Sequence, residues 1–217
     1  MFCRSIANGG SGSSAPATAL GVFHGVRATV KHALGRDVEG VTVLVQGAGG
    51  VGGKLVELLA GAGAHVLVSD IDAERAQAAA ANANGSVVPA ERALNTECDV
   101  YAPCALGGTL NEETVPSLRC KVVAGAANNQ LATRADADRL AKRGIVYAPD
   151  FVINSGGVFH GIGIELLGWD AERLGRRLEG IGDTLLEVYD RAARAGTSSD
   201  AAAHELAQER LAEPLRG

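Results

Sequence analysis

The chain has 217 residues, of which 47% are hydrophobic and 21% charged, and its formal net charge is −5. This length allows one sizeable core, and the composition is that of an ordinary globular protein. The negative charge, without any basic cluster, argues against nucleic-acid binding. No segment approaches the roughly 20 apolar residues that span a bilayer, and Met1–Ser11 lacks an apolar signal core. We therefore expect a cytoplasmic protein that binds neither nucleic acid nor membrane.

Cysteine and histidine placement argues against a metal centre. The five histidines are scattered, and no two cysteines have the Cys-x-x-Cys spacing of a zinc site. We predict no bound metal and cysteines that are reduced thiols. The cysteines are Cys3, Cys98, Cys104 and Cys120.

The first predicted element is a long helix. Asn8–Ser14, with the sequence NGGSGSS, predicts a flexible or turn-forming segment. Ala15–Leu34 then places apolar residues at helical spacing, and Gly35 is a suitable stop.

A dinucleotide-binding βαβ pattern follows, and it is the most informative part of the chain. Val41–Gln46 is an apolar strand, followed by a turn with the Gly-x-Gly-x-x-Gly spacing and a helix. The first glycine permits the sharp turn, the second lets the backbone approach a pyrophosphate, and the third lets the helix pack on the strand. The helix N-terminus would then hold the phosphates through free N–H groups. The predicted pyrophosphate-binding residues are Gly47, Ala48, Gly49, Gly50, Val51 and Gly52.

An acidic residue ends the second strand of this unit. His65–Ser69 is a strand, and Asp70 directly after it is placed to accept hydrogen bonds from the adenosine ribose hydroxyls. Because its carboxylate would repel a 2′-phosphate, we predict NAD rather than NADP as the cofactor. Arg75, five residues on, could soften that preference.

The remaining pattern predicts an α/β fold, a Rossmann-type doubly wound and mostly parallel sheet with a helical C-terminal segment. We expect three regions, an N-terminal loop and helix over residues 1–35, the dinucleotide-binding domain over 36–157, and C-terminal helices over 158–217. The later strands are predicted near Ser86–Val88, Asp99–Ala102, Lys121–Ala124 and Ile145–Ala148. The later helices are predicted at Ala73 to about Ala83, Arg134–Arg143, Gly157–Leu167, Ala171–Ala195 and Ser199–Leu211.

One predicted helix carries an apolar stripe that covers either a sheet edge or a missing neighbour. The stripe consists of Leu174, Leu178, Ile181, Leu185 and Val188.

Four motifs in sequence order resemble those of the amino-acid dehydrogenase family that includes leucine, valine, phenylalanine and glutamate dehydrogenases. They are GGSGSSAPATALGVF at Gly9–Phe23, PCALGG at Pro103–Gly108, GAANNQL at Gly125–Leu131 and YAPDFVINSGG at Tyr147–Gly157. The resemblance covers nearly the whole chain and is greatest to the branched-chain and phenylalanine members. It implies a reversible oxidative deamination in which hydride passes from the amino acid's α-carbon to NAD and water releases ammonia.

The resemblance also assigns further cofactor contacts. It implies that Ser14 and Thr18 approach the nicotinamide end, and that Ile71 joins Asp70 at the adenosine ribose. Ala105 is expected along the cofactor. Asn128 and Asn154 match family asparagines near the nicotinamide, although either could instead be a turn or capping residue.

The catalytic residues of the family are not found in this chain. A separate N-terminal domain supplies a lysine in a glycine-rich motif, a second lysine for the substrate carboxylate and an aspartate for proton transfer. This chain has only Lys31, Lys54, Lys121 and Lys142, none after Gly-Gly-Gly, and each is predicted to lie on the surface. Asp150 is predicted to cap the next helix. We therefore expect the isolated chain to bind NAD but to turn over little. A separately encoded substrate domain is one candidate partner.

Three interpretations remain open at this point. The chain could be the cofactor half of an amino-acid dehydrogenase, encoded as a fragment, by a split gene or with a misplaced start codon. It could instead be a free-standing NAD-binding regulatory module, or an unstable remnant with an uncovered apolar stripe. The amino acid used stays undetermined, and a homo-oligomer is possible.

Overall fold

A computed structural model of the protein describes residues 10–212. Cys3, together with Asn8 and Gly9 of the predicted flexible segment, lies outside the described residues. Within the described range, no helix is long and apolar enough to cross a membrane. The same range holds no group of three or more His, Cys, Asp or Glu side chains that could bind a metal ion.

Six parallel strands form one sheet, which confirms the predicted α/β class. The strands are β1 (Thr42–Gln46), β2 (His65–Ser69), β3 (Ser86–Val87), β4 (Val100–Pro103), β5 (Val122–Val123) and β6 (Val146–Tyr147). Their order across the sheet is β3-β2-β1-β4-β5-β6, and every neighbouring pair is parallel. This is the order of the Rossmann fold, in which the connections reverse direction between β1 and β4. A ligand crevice is expected at the carboxyl ends of these two strands.

Helices connect the strands and form the end of the described chain. They are α1 (Ala15–Leu34), α2 (Gly52–Gly61), α3 (Ala73–Asn82), α4 (Ala135–Lys142), α5 (Asp150–Ile153), α6 (Gly156–Glu165), α7 (Ala171–Ala195) and α8 (Ser199–Ala212). The helices predicted from periodicity are all present, and α1 ends at Gly35, whose φ of 68° is left-handed. The short α5 and two 3₁₀ turns, at Ala90–Asn95 and Val115–Ser117, were not predicted.

The sheet is buried on both faces because side chains alternate along each strand. Val43 and Val45 of β1 face one apolar cluster, to which α1, α2 and α7 contribute. Leu44 faces the other cluster with Tyr101 and Tyr147. Both sheet faces are therefore covered, as a parallel sheet requires.

The apolar stripe of α7 packs on α1, so the prediction of a sheet edge or a missing neighbour was wrong. Ile181 and Leu185 are buried in the same cluster as the sheet. A Cβ built on Gly21 of α1 would lie 2.7 Å from Ile181 Cδ1, and one on Gly25 would lie 3.1 Å from Leu185 Cδ1. Glycines on α1 thus let the two helices approach closely. The remnant interpretation loses its physical basis, because the stripe is covered within the chain.

Candidate functional site

The turn after β1 is fixed by backbone contacts. Gly47 has a φ of 100°, which favours glycine. Its N–H donates to the Ser69 carbonyl of β2 at 2.6 Å. A Cβ on Gly47 would lie 2.8 Å from the backbone nitrogen of Ala105. The first glycine is therefore required both by the turn and by the loop after β4.

The other two glycines of the Gly-x-Gly-x-x-Gly turn, Gly49 and Gly52, differ in what surrounds them. A Cβ on Gly52 would lie 1.8 Å from the Gly47 carbonyl oxygen, so α2 packs directly on the turn. A Cβ on Gly49 would meet no heavy atom within 4 Å. The protein itself leaves the space at Gly49 open, which is where a pyrophosphate would approach the backbone.

The N-terminus of α2 offers free donors. Among the described residues, the backbone N–H groups of Gly49, Gly50 and Val51 have no hydrogen-bond partner. No side chain caps this helix and its first turn contains no acidic residue. Free N–H groups and the positive end of the helix dipole favour an anion here, so these residues fit the phosphates of a dinucleotide.

Substituting Gly49 by alanine separates binding from folding. The new methyl group points into open space and the backbone φ is not left-handed, so we expect G49A to be as stable as the wild type or slightly more stable. Because the methyl group occupies the approach to the N–H groups, we expect the dissociation constant for NAD to rise about tenfold or more. Urea unfolding and calorimetry measure the two effects. The control G180A, in α7 with equal free space, retains wild-type affinity; equal affinities in both variants would contradict the role of Gly49.

Asp70 lies at the end of β2, beside the glycine turn. Its side chain is only 7% exposed. Its Oδ2 accepts a hydrogen bond from Ala48 N–H at 2.7 Å, and its Oδ1 accepts one from Asp72 N–H at 2.9 Å. Burial by itself raises the pKa of the Asp70 carboxyl, but the backbone N–H groups of Asp72, Ala48 and Ile71, together with Arg75, outweigh it and hold the pKa below its usual value. The carboxylate is therefore ionised at neutral pH.

Arg75 and Ile71 flank this carboxylate. Arg75 Nη1 lies 3.8 Å from Asp70 Oδ1, while its Nη2 lies 3.2 Å from Asp72 Oδ2. The guanidinium is thus already balanced by two carboxylates, which weakens its attraction for a 2′-phosphate. Ile71 is 94% exposed, so an apolar surface lies next to Asp70 at the rim of the crevice.

The loop after β4 forms the opposite wall of the crevice. Cys104 N–H donates to the Gln46 carbonyl at 2.7 Å, which ties this loop to the end of β1. Ala105 is exposed beside the glycine turn. A Cβ on Gly107 would lie 2.3 Å from the Asn128 carbonyl oxygen, so the loops after β4 and β5 are in close contact. Burial raises the pKa of the Cys104 thiol to about 12, which keeps it protonated.

The two predicted asparagines are brought together. Asn154 Nδ2 donates to Asn128 Oδ1 at 2.7 Å. They border a cavity of about 490 Å³ whose wall also includes Phe151 and Val158. The Asn128 side chain is exposed, and both amides retain further hydrogen-bonding groups for a ligand in this cavity.

Gln130 was missed by sequence reasoning. It is fully buried, and its Nε2 donates to the carbonyls of Gly125 at 2.9 Å and Ala127 at 3.1 Å. It thereby holds the loop that carries Asn128. The available signal was a polar residue within the GAANNQL motif between two predicted elements, but only the fold shows that its side chain turns inward.

Ser14 and Thr18 lie at the start of α1, facing the N-terminus of α6. A Cβ on Gly157 would lie 2.7 Å from Thr18 Oγ1 and 3.6 Å from Ser14 Oγ. A Cβ on Gly50 would lie 3.7 Å from Ala15 Cβ, so the same end of α1 also borders the glycine turn. The start of α1 therefore connects the turn with the segment that follows Asn154.

The lysines lie away from the cavity beside the asparagines, whereas Asp150 lines it. All four lysines are exposed, and none lines the cavity beside the asparagines. Asp150 is the first residue of α5 rather than its N-cap, which is Pro149. Its Oδ1 accepts from Phe151 N–H at 2.9 Å and its Oδ2 from Gln130 N–H at 3.4 Å. The carboxylate thus fixes the helix start and the loop before it.

A second cavity, of about 500 Å³, adjoins the one beside the asparagines and shares Phe151 and Ser155 with it. It lies between α6, α7 and α8 and is mainly apolar, with Phe159 and Leu206 in its wall. It contains none of the predicted cofactor-binding residues. The chemistry of the crevice, with free N–H groups, a carboxylate and paired amides, is better suited to a dinucleotide.

The sheet order, the glycine turn and Asp70 together define a dinucleotide-binding domain of the Rossmann type. The family model of the Glutamate/Leucine/Phenylalanine/Valine dehydrogenases matches residues 9–74 and 68–216, and the chain belongs to this family.

Individual relatives agree with the family match. The chain is 45% identical over 204 residues to leucine dehydrogenase of Thermoactinomyces intermedius, covering 94% of this chain and 56% of the relative. It is 44% identical over 214 residues to valine dehydrogenase of Streptomyces albus, covering 97% and 58%. The crystal structure of L-tryptophan dehydrogenase from Nostoc punctiforme superposes with a TM-score of 0.88 at 39% identity, over 92% of this chain and 61% of that one. The chain thus spans a little over half the length of these relatives.

Proposed function

We propose that the chain is the NAD-binding portion of an oxidoreductase that catalyses reversible oxidative deamination of a branched-chain or aromatic L-amino acid to the 2-oxo acid and ammonia. The observation that carries the proposal is the assembly, at one sheet edge, of the open glycine turn, the ionised Asp70 and the Asn128–Asn154 pair. Family membership and the leucine, valine and tryptophan dehydrogenase relatives support the reaction class.

Each group at the carboxyl ends of the strands has a separate role in this proposal. The N–H groups of Gly49, Gly50 and Val51 hold the pyrophosphate, and Asp70 accepts from the adenosine ribose. Asn154 and Asn128 orient the nicotinamide end through neutral amides, which leave the charge of the ring unaltered. Bound NAD supplies the hydride acceptor.

A substrate domain from another polypeptide segment would complete the active site. No lysine reaches the cavity beside the asparagines in the described structure, and the arginine that lines it, Arg134, is already paired with Asp200 at 3.2 Å. Without positioning of the substrate carboxylate, about 7–11 kcal/mol of barrier lowering can be lost, and general acid–base catalysis loses about 10²–10⁴-fold more. We therefore expect little or no turnover by the isolated chain.

Cofactor selectivity is the first test of the proposal. We expect NAD to bind and NADP to bind about tenfold or more weakly, because the Asp70 carboxylate repels a 2′-phosphate. Calorimetric titration of the purified chain with both dinucleotides measures this difference. Equal affinities, or a preference for NADP, would contradict the assignment of Asp70.

Activity measurements separate this function from the second candidate, a free-standing NAD-binding regulatory module. That candidate is favoured by one observation: α7, α1 and the sheet share one apolar core within the described chain. Reduction of NAD at 340 nm would be followed with leucine, valine, phenylalanine and tryptophan, with and without the separately produced substrate domain of a relative. Amino-acid-dependent turnover that appears only in the mixture supports the dehydrogenase. NAD binding with no turnover in any mixture supports the regulatory module.

A further inference from the structure

The Asp70 carboxylate accepts two hydrogen bonds from backbone N–H groups of the protein itself. We propose that Asp70 is a positioning residue that holds the pyrophosphate-binding turn in shape, in addition to accepting from the adenosine ribose. The inference rests on the proposed NAD-binding function and deepens it. It concerns the hydrogen bond from Ala48 N–H to Asp70, because Ala48 lies in the turn and not in the ribose pocket.

The hydrogen-bond geometry joins two separate loops through one side chain. Ala48, in the middle of the turn after β1, donates to Oδ2 at 2.7 Å, and Asp72, in the loop before α3, donates to Oδ1 at 2.9 Å. Gly47 N–H is already bonded to the Ser69 carbonyl. The turn is therefore attached to β2 by two consecutive N–H groups, one to the backbone and one to the Asp70 side chain.

The bond to Asp70 determines which N–H groups remain available to a ligand. Ala48 N–H points to the carboxylate, while those of Gly49, Gly50 and Val51 have no protein partner in the described structure. An N–H bonded to an ionised, nearly buried carboxylate is a strong constraint on its peptide plane. Without this hydrogen bond, the turn would have fewer restraints. The conformational entropy lost when the turn is ordered on binding would then weaken the affinity for the phosphates.

Holding the turn does not prevent Asp70 from binding ribose. An ionised carboxylate offers about four lone-pair positions, and the two backbone bonds use one on each oxygen. Because Arg75 Nη1 also approaches Oδ1 at 3.8 Å, Oδ2 has the less crowded position for a ribose hydroxyl. The same side chain can therefore fix the turn and recognise the sugar, and exchanging it to favour NADP would disturb both.

The experiment separates the two tasks with a ligand that has no ribose hydroxyls. Wild type, D70A and D70N would be titrated with ADP and with 2′,3′-dideoxy-ADP. If Asp70 positions the turn, D70A, which removes both acceptor oxygens, binds the dideoxy nucleotide about tenfold more weakly than the wild type, and D70N falls between the two. If Asp70 only recognises ribose, loss of its negative charge leaves dideoxy-ADP binding unchanged or stronger, which would overturn the inference.

Amide hydrogen exchange gives a readout that needs no ligand. In D70A we expect the Ala48 and Asp72 amides to exchange faster, while the Leu44 amide in the centre of β1 keeps its protection and shows that the sheet is intact. In D70N the single remaining acceptor leaves at least one of the two amides unprotected. Unchanged Ala48 exchange in D70A would also overturn the inference.

The matched control is E74Q. It removes one negative charge at an exposed side chain in the first turn of α3 and leaves Asp72 with its bonds to Asp70 and Arg75 in place. We expect wild-type exchange at Ala48 and wild-type binding of dideoxy-ADP. A wild-type protein that fails to bind NAD would refute the proposed function, whereas the exchange result would still decide the role of Asp70 in the turn.

Discussion

Replacing Gly52 by alanine is expected to lower the free energy of unfolding by about 1–3 kcal/mol and to abolish tight NAD binding. The added Cβ would lie 1.8 Å from the Gly47 carbonyl oxygen and 3.0 Å from its carbonyl carbon. These are backbone atoms, so no side-chain rotation can relieve the clash. The start of α2 must move away from the turn, and the free N–H groups lose their common direction. Urea unfolding and NAD calorimetry measure both losses.

The matched control for this substitution is G61A, at the other end of the same helix. A Cβ on Gly61 meets no heavy atom within 4 Å, and its φ is not left-handed. We expect wild-type NAD affinity and a stability equal to or up to about 1 kcal/mol above that of the wild type, because alanine is the better helix former. If G52A binds NAD as tightly as G61A, the close packing of α2 on the turn is not needed for the site.

Replacing Leu185 by alanine is expected to destabilise the protein by about 2–5 kcal/mol. Leu185 is fully buried in α7, against Gly25 of α1, and it belongs to the same apolar cluster as the central strands. The substitution leaves a cavity that the tightly packed helices cannot fill. Because α1 also carries Ser14 and Thr18 at its start, we expect weaker NAD binding to accompany the loss of stability.

An exposed leucine gives the comparison for this second substitution. Leu166, at the end of α6, is 67% exposed, and L166A is expected to change the free energy of unfolding by no more than about 0.5 kcal/mol. A similar small change in L185A would mean that α7 does not pack on α1 in solution. The apolar stripe would then again require another partner.

The local pattern of the sequence was enough to predict most of the fold. The strand His65–Ser69 and the helices Ala15–Leu34 and Ala171–Ala195 have the bounds expected from periodicity and stop signals. These elements are long or strongly patterned. By contrast, the four-residue α5 is shorter than a helical hydrophobic pattern, and no local signal separates it from a loop.

Contacts between distant segments could not be predicted from local pattern. The stripe of α7 was visible in the sequence, but its partner, α1, lies far away along the chain. For the same reason, the dinucleotide-binding βαβ pattern predicted Asp70 as a ribose acceptor but gave no indication of its hydrogen bond from Ala48 N–H. Gln130 shows the same limit, since only the folded loop determines that its amide turns inward to two carbonyl groups.

The most direct test of the central claim is a crystal structure of the chain grown with NAD. We predict electron density for the pyrophosphate within hydrogen-bond distance of the Gly49, Gly50 and Val51 N–H groups, with a ribose hydroxyl on the Asp70 carboxylate. A dinucleotide bound elsewhere, such as in the apolar cavity between α6, α7 and α8, would contradict the account.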